Sequence, residues 1–309
     1  MNDDIDLANS SALLKRVVSK IETVTYHFNT KFRHNYYKTP STRCSIPFLL
    51  SDKFKAVTLQ SICIPNSWYL FSNLLDNNTF IMQIENETTQ QMEVLEVVIP
   101  EGNYTPQELS LFLNQTYFYE SGRTYGFNKV KFEINKNTLK VKFCLVNTQI
   151  EEKIKFHMIF VKETTTSIMA TCGWLLGFRY GKYFNVKDEI YGEALYDGGG
   201  DRYVYFCVTN GEFEDVQNKH IIILDNERDH PKSSNVLAKL YMKNGKFALS
   251  TDVNQDTELT FNRTLILKNP RALTSINVNL LDQYGQEIFL NNMDFSFSLE
   301  FIKDPELTA

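Results

Sequence analysis

Three short runs of alternating apolar and polar residues follow one another between Arg263 and Ile302. The pair Asn269-Pro270 ends the first run, and a turn that contains Gly285 separates the second from the third. A period of two is typical of a strand with one buried face. The apolar positions are Leu265 and Leu267 in the first run, Ile276, Val278 and Leu280 in the second, and Phe295, Phe297, Leu299 and Phe301 in the third.

The third run is aromatic along almost the whole of its apolar face. Neighbouring phenylalanines left exposed on a strand would promote aggregation, so a second sheet has to cover them. We therefore predict that this stretch is a closing strand of a β-sandwich.

Similar alternation, interrupted by turn residues, recurs through the rest of the chain and predicts about ten strands in all. In the first of the additional strands, we expect Val57, Leu59, Ser61 and Cys63 to share one face. The additional strands are predicted at 55–64, 79–85, 92–99, 153–161, 203–209, 220–224 and 236–242, and as a lysine-rich hairpin over 130–145 that turns at Asn135-Lys136-Asn137.

Helical signals are few. Thr105, Pro106 and Glu108 have the spacing of a helix N-cap, a first-turn proline and a capping box, with Leu109, Phe112 and Leu113 as the expected buried stripe. A short helix or turn is predicted within 164–178, and a short amphipathic helix within 5–20. The apolar stripe of the latter consists of Leu13, Leu14, Val17 and Val18.

Composition supports a β-rich protein. Of the 309 residues, 43% are hydrophobic and 13% aromatic, and aromatic side chains favour sheets. No run of about eighteen apolar residues is present, as a membrane-spanning helix would need. The acidic, polar start does not fit a secretory signal peptide. The cysteines are scattered and odd in number, so we expect reduced thiols; they are Cys44, Cys63, Cys144, Cys172 and Cys207.

Charge is unevenly distributed. The chain has a net charge of −5, yet residues 11–55 contain nine basic and two acidic residues. We therefore expect an N-terminal arm over 1–40 that is basic, outside a body over 41–302 with a small α+β elaboration within 100–180, and a C-terminal tail over 303–309. A basic segment fits either a solvated face of a folded element or an arm that docks on an acidic surface.

Several segments in order resemble one protein family. They are IPNSWYLF (64–71), VVIPEGNYTPQELSLFLN (97–114), the hairpin, GWLLGF (173–178) and the closing stretch with its NP, DQYG and DFSFSLE segments. From about Lys55 to Ile302 the chain resembles the penton, or minor capsid, proteins of virophages, Polinton-like elements and related large icosahedral double-stranded DNA viruses.

The resemblance implies an all-β jelly-roll sandwich and a structural role at the five-fold vertices of a virion, without enzymatic activity. It implies a homopentamer that contacts the major capsid protein and neighbouring minor capsid proteins, with synthesis in the host cytoplasm. The resemblance does not cover the arm. From its basic charge and its apolar stripe, we expect the arm to reach beneath the shell, toward those proteins or an acidic interior of nucleic acid or membrane. No small-molecule substrate and no cofactor are expected.

Motifs of catalysis and cofactor binding are absent: GxSxG, HExxH, the phosphate-binding GxxxxGK[ST] loop and GxGxxG after a strand do not occur. We therefore assign no catalytic, cofactor-binding or metal residue. The glycine-rich segment 197–201 is interpreted as a surface loop, and His157 as a histidine at the edge of the core. The cluster His220, Asp225, Asp229 and His230 fits a strand start and a polar loop better than a metal site.

Two other functions stay open. A lectin-like, receptor-binding sandwich would use Trp68 and Trp174 for stacking on sugars, and a β-sandwich hydrolase would need a carboxylate pair that the sequence does not single out. Sugar binding on an array would support the lectin, and reconstitution of particles with a major coat protein would support the capsid role.

Overall fold

The structure, a computed structural model, describes residues 22–48, 53–123, 126–146, 153–163, 166–208, 213–215, 222–223, 232–233, 236–242, 250–254, 261–262, 264–271 and 273–303. The chain divides into two compact units. Unit 1 combines the residues up to Trp68 with those from Asp201 onward, and unit 2 is Tyr69–Gly200. The helix predicted within 5–20 lies outside the described residues.

Unit 1 contains two antiparallel sheets. The first has the order β1-β20-β3-β18-β12, with β16 also paired to β3, and the second has the order β17-β15-β11-β19-β2. Strands of the first sheet are β1 (Thr23–Asn29), β3 (Phe54–Pro65), β12 (Phe213–Asp215), β16 (Ser250–Asn254), β18 (Thr264–Arg271) and β20 (Ser296–Lys303). Those of the second are β2 (Arg43–Pro47), β11 (Tyr203–Val208), β15 (Val236–Tyr241), β17 (Phe261–Asn262) and β19 (Ser275–Leu281), and a separate pair joins β13 (Ile222–Ile223) to β14 (Lys232–Ser233).

The described strands of these two sheets alternate along the chain. β1 lies in the first sheet, β2 in the second and β3 in the first, and the same alternation continues from β15 to β20. Repeated crossing between facing antiparallel sheets is the arrangement of a jelly roll. The predicted all-β, jelly-roll-like fold class is confirmed.

The aromatic face predicted for the last strand lies in the core between the sheets. The ring of Phe297 on β20 stacks on Phe28 of β1 at 5.1 Å between centroids, and it contacts Phe206 of the second sheet at 5.0 Å. Phe301, further along β20, meets the ring of Phe54 at 5.4 Å. All five rings are buried, so the second sheet does cover the aromatic row.

Strand β3 departs from the expected alternation at Gln60. β20 pairs Ser298 with Ser61 and Leu299 with Leu59, which leaves Gln60 as the extra residue of a β-bulge. The buried face therefore passes from Leu59 to Ile62, and Cys63 is exposed. The expected common face of Val57, Leu59, Ser61 and Cys63 is wrong beyond Leu59, because the bulge reverses which side chains point inward.

Residues 22–40 belong to the sandwich and not to an arm outside it, in contrast to our expectation. β1 pairs with β20 over its whole length, from Thr23 opposite Ile302 to Asn29 opposite Ser296. Of the nine basic residues in 11–55, six therefore follow β1, and residues 1–21 carry three acidic and three basic residues. The N-terminal segment that precedes the sandwich has no net charge.

Unit 2 has its own sheets and core. Its sheets have the orders β5-β4-β8-β9 and β10-β7-β6, and Phe143 of one contacts Phe80 of the other at 6.0 Å. The α+β elaboration expected within 100–180 is thus part of a larger unit. Its elements are β4 (Thr79–Asn86), β5 (Gln91–Val98), α1 (Pro106–Thr116), β6 (Val130–Ile134), β7 (Lys140–Leu145), β8 (Ile154–Ile159), α2 (Cys172–Leu175), β9 (Lys182–Val186) and β10 (Glu189–Leu195).

The structure confirms the helix start predicted at Thr105 in unit 2. Helix α1 begins with the predicted capping box, in which the Glu108 amide donates to Thr105 Oγ1 at 3.3 Å and the Thr105 amide donates to Glu108 Oε2 at 2.9 Å. After α2, Gly177 has a left-handed φ of +87°, and a Cβ there would lie 2.5 Å from the carbonyl oxygen of Ala194. Glycine is therefore required at this position.

The chain leaves unit 1 for unit 2 and returns at one end of the sandwich. Trp68 Nε1 donates a hydrogen bond to Asp201 Oδ2 at 2.8 Å, which fastens the departing segment to the returning one. At the other end of β20, the Lys303 amide donates to the Glu22 carbonyl at 2.9 Å. The first and last described residues thus lie side by side, at the end opposite the connections to unit 2.

Two truncations distinguish the arm from the sandwich. If residues 1–21 form an arm outside the sandwich, as the sequence predicts, their removal should leave the urea midpoint of unfolding close to that of the full chain. Removing residues 1–40 deletes β1 and uncovers Phe297, so the free energy of unfolding should fall by several kcal/mol. Circular dichroism during a urea titration measures both. Equal midpoints for the two truncations would show that β1 does not contribute to the folded sheet.

Candidate interaction surfaces

A buried ion pair holds the loop of residues 30–41 against the segment before β20. Arg33 and Asp294 form this pair, with side chains only 5% and 7% exposed. The Arg33 guanidinium also donates to the carbonyls of Thr30 at 2.8 Å, Thr39 at 2.8 Å and Tyr36 at 3.1 Å. One guanidinium therefore fixes both sides of the loop.

The Asp294 carboxylate also has several hydrogen-bond donors around it. It accepts hydrogen bonds from Thr30 Oγ1 at 2.9 Å and from the Tyr36 hydroxyl at 3.1 Å, in addition to that from Arg33. Thr30 Oγ1 in turn accepts from the Phe295 amide at 2.9 Å. A buried ion pair is stable only with such additional hydrogen bonds, so the sequence around this loop cannot change freely.

The loop presents aromatic rings to solvent, and we call this surface the aromatic platform. It consists of Phe32, Tyr36 and Tyr37 of the loop, of which Phe32 is 72% and Tyr37 97% exposed, together with exposed Met293, whose carbonyl accepts a hydrogen bond from Ser41 Oγ at 2.7 Å. Exposed Lys31 and Lys38 lie on the same loop. Aromatic and methionine side chains are enriched at protein interfaces, and lysines favour an acidic partner. The platform is thus suited to an acidic protein surface.

Unit 2 contains a groove of about 540 Å³ between α1 and the sheet β10-β7-β6. Gln107, Leu111 and Asn114 on one face of α1 form a wall. The floor is a row of side chains from three adjacent strands, because Glu133 of β6 lies opposite Lys142 of β7, and Lys142 lies opposite Tyr191 of β10.

Ion pairs keep the charged side chains on the floor of this groove ionised. Glu133 contacts Lys131 Nζ at 2.6 Å and Lys142 Nζ at 2.9 Å. The hydrogen bonds from Lys131 and Lys142 hold the pKa of the Glu133 carboxyl below its usual range. The same hydrogen bonds raise the pKa of each lysine. The groove therefore presents fixed positive charges around one carboxylate at neutral pH.

The structure also shows where the other residues considered in the sequence analysis lie. His157 is 8% exposed, at the core edge as expected, and its Nδ1 accepts from the Asn185 amide at 3.3 Å. Trp68 is buried, so its ring is not open for stacking on a sugar. Trp174 is half-buried, and the Arg179 guanidinium lies over its ring at 3.7 Å. Gly198, in the segment 197–201, is buried under the Tyr196 ring.

His220, Asp225, Asp229 and His230 lie outside the described residues. Within the described ranges, no group of three or more histidine, cysteine, aspartate or glutamate side chains is placed to hold a metal ion. Among the helices that the structure describes, none is both long and apolar enough to cross a membrane.

The sequence analysis predicted neither the Arg33–Asp294 pair nor the groove. The two charged residues are 261 positions apart in the chain, so no local pattern joins them. The groove had a visible signal, since Lys131, Lys140 and Lys142 alternate with buried residues along the hairpin. No local feature of the sequence indicated that α1 forms the opposite wall of the groove.

Comparison with known proteins gives structural likeness alone. No model of a protein family matches the sequence, and no curated protein matches it. The chain is similar to virophage proteins. The penton protein of mavirus, in the crystal structure of its selenomethionine-labelled form, is 11% identical with a TM-score of 0.48, and the match covers 92% of this chain and 100% of that one.

A chain in the cryo-EM structure of the Sputnik virophage is 13% identical, with a TM-score of 0.44. That match covers 91% of this chain and 98% of the virophage chain. At such identities, a shared function does not follow from likeness of fold.

The buried ion pair predicts unequal effects of two arginine substitutions. Arg33→Met leaves the Asp294 carboxylate buried without its cation, which should lower the free energy of unfolding by about 3–5 kcal/mol. Arg43→Met is the matched control, because Arg43 is 72% exposed and lies 3.9 Å from Glu287. Its loss should be below about 1 kcal/mol. Urea unfolding measures both, and similar losses would contradict the structural role of Arg33.

Thiol reactivity should follow burial. None of the five cysteines forms a disulfide, and Cys63 is exposed. Burial raises the pKa of Cys44 to about 11 and that of Cys172 to about 12, which leaves both protonated at pH 8. A chromogenic disulfide reagent should therefore modify Cys63 first, and Cys63→Ser should remove the fast phase. Modification of Cys172 at the rate of Cys63 in the native protein would contradict this assignment.

Proposed function

We propose that this protein is a structural component of a virion that closes the five-fold vertices of an icosahedral shell as a homopentamer. The single observation that carries the proposal is the construction of unit 1. It is a jelly-roll-like sandwich whose first and last described residues meet at one end, while both connections to unit 2 leave from the opposite end. The ordered resemblance of the sequence to penton proteins, from about Lys55 to Ile302, supports the same function.

A sandwich with this construction suits a shell. Five copies related by rotation can contact one another through different surfaces of each copy, and such a ring closes when the rotation is one fifth of a turn. The end of unit 1 that holds its first and last described residues then faces the interior, and the end that holds Trp68 and Asp201 faces outward. In this orientation the chain before residue 22 begins on the inner side of the shell, where residues 1–21 would meet neighbouring coat proteins.

The attachment of residues 1–21 is apolar in this proposal. Their three acidic and three basic residues cancel, so charge gives them no preference for nucleic acid or an anionic membrane. Their apolar stripe, centred on Leu14 and Val17, gives about 1.5–3 kcal/mol per fully buried side chain before the cost of ordering. One segment is a weak tether, and five segments acting together bind firmly. The partners are the major capsid protein and neighbouring minor capsid proteins.

The basic character expected of the arm belongs instead to the aromatic platform. Lys31 and Lys38 accompany its exposed rings, and this combination fits an acidic neighbouring coat protein. Phosphoryl transfer, hydrolysis or redox chemistry forms no part of the proposed role, which needs surfaces and not a reacting group.

The deciding experiment is co-assembly with a major coat protein, followed by measurement of the copies per vertex. The full chain should occupy vertices in fives. A chain lacking residues 1–21 should be depleted from particles several-fold, because its tether is missing. A chain lacking residues 304–309 is the matched control, since Lys303, the residue before that segment, lies beside Glu22, and it should incorporate normally.

Two further variants separate apolar from electrostatic attachment. Replacing Leu13, Leu14, Val17 and Val18 by serine should deplete the protein from particles as the truncation does. Replacing Lys15, Arg16 and Lys20 by glutamine should change incorporation little. Normal incorporation of the truncated chain would refute the tether, and a copy number other than five would refute the vertex assignment.

A further inference from the structure

The groove of unit 2 has no part in closing a shell, and its chemistry points to a ligand. Its volume of about 540 Å³ is that of a small-molecule site. Rigid elements build it, because its wall is a capped helix and its floor is a paired three-stranded sheet. Shape, however, does not identify the ligand, and the lining side chains must do so.

The charges of the lining favour an anion. Four lysines and two glutamates line the groove, which leaves an excess of positive charge. Lys131 and Lys142 share Glu133, and Lys140 Nζ donates to the carbonyls of Gly192 at 2.9 Å and Glu193 at 2.7 Å. Lys136 makes no ion pair with any residue that the structure describes. At least one ammonium group is thus available to a ligand.

The other side chains of the lining favour a ligand rich in hydroxyl groups. The Tyr191 side chain is 49% exposed and offers an aromatic face. The amide group of Gln107 can both donate and accept hydrogen bonds. Asn135 can donate through Nδ2, since its Oδ1 accepts from the Asn137 and Thr138 amides. Glu133 is an acceptor held in place by two lysines. Aromatic faces contact the apolar side of a sugar ring, while amides and carboxylates bind its hydroxyls.

We propose that this groove binds a short anionic oligosaccharide, a sugar chain that carries a carboxylate or sulfate group. The anionic substituent lies near Lys136, a sugar ring lies on Tyr191, and ring hydroxyls donate to Glu133. This cell-surface role rests on the proposed function: on a virion, the ligand would be a glycan on the surface of a target cell.

Glu133 distinguishes this ligand from a nucleotide. A carboxylate in the middle of the lysine row repels a densely charged polyphosphate, while it accepts hydrogen bonds from uncharged hydroxyls. A ligand with one or two dispersed negative charges and many hydroxyls matches the row better. An acidic peptide would gain less from the exposed ring and the amides, because its carboxylates would occupy only the lysines.

Titration of the full chain with defined sugars tests the proposal. The probes are sialyllactose, a heparin-derived sulfated disaccharide, neutral lactose and ATP, with binding followed by ligand-observed NMR or calorimetry. At least one anionic sugar should bind about tenfold or more tighter than lactose, which corresponds to 1.4 kcal/mol. The first two probes show whether the anion is a carboxylate or a sulfate. Binding of ATP more tightly than both anionic sugars would overturn the proposal.

Three variants locate the site. Lys136→Glu reverses the available charge, and Leu111→Trp fills the groove from the helix without changing charge. Each should weaken binding of the anionic sugar by about tenfold or more. Lys182→Glu is the matched control, because Lys182 is exposed on β9 and does not line the groove, and it should bind like the original protein.

Each variant should keep the circular-dichroism spectrum and the melting temperature of the original chain, and should incorporate into particles normally. Unchanged binding by Leu111→Trp in a folded protein would place any sugar binding elsewhere and refute the assignment. Equal binding of lactose and both anionic sugars, or no binding of any sugar, would refute it as well.

Discussion

The aromatic row on β20 is the constraint on which the structure of unit 1 depends. Phe297 and Phe301 lie on a strand with a neighbour on each side, so their rings have to be covered from the facing sheet and from both adjacent strands. Phe28 and Phe206, which are 178 positions apart in the sequence, supply that cover. Fully burying one such side chain contributes about 1.5–3 kcal/mol. This requirement draws the residues after position 22 into the sandwich and makes the N-terminal segment shorter than charge alone suggests.

Local patterns predicted the elements, and long-range contacts decided their arrangement. The alternation of β20, the capping box at Thr105 and the hairpin after Val130 were visible because each depends on residues a few positions apart. The bulge at Gln60 was not visible, since it exists only through pairing with a strand more than two hundred residues away. For the same reason, the pairing of Arg33 with Asp294 and the limits of unit 2 needed the folded chain. Of the groove, the sequence showed only the row of lysines on the hairpin and not the helix that forms its wall.

The two candidate surfaces use charge in different ways. At the aromatic platform the buried pair of Arg33 and Asp294 has no net charge. Its effect is to fix the conformation of the loop from which Phe32 and Tyr37 project. In the groove the charges of Lys131, Glu133 and Lys142 face an open space and act on whatever enters it. A partner that meets the platform is selected mainly by contact area, and a ligand in the groove mainly by its pattern of charge and hydroxyls.

The hydrogen bond between Trp68 and Asp201 has a consequence for the evolution of the protein. It brings together the two points at which the chain departs for residues 69–200 and comes back, at a separation of 2.8 Å between the bonded atoms. A segment whose ends already meet can be lengthened, shortened or exchanged with little extra loss of chain entropy in the part that remains. The inserted unit can therefore be replaced by another segment without rearrangement of unit 1. A lineage can vary residues 69–200 while unit 1 keeps its aromatic core unchanged.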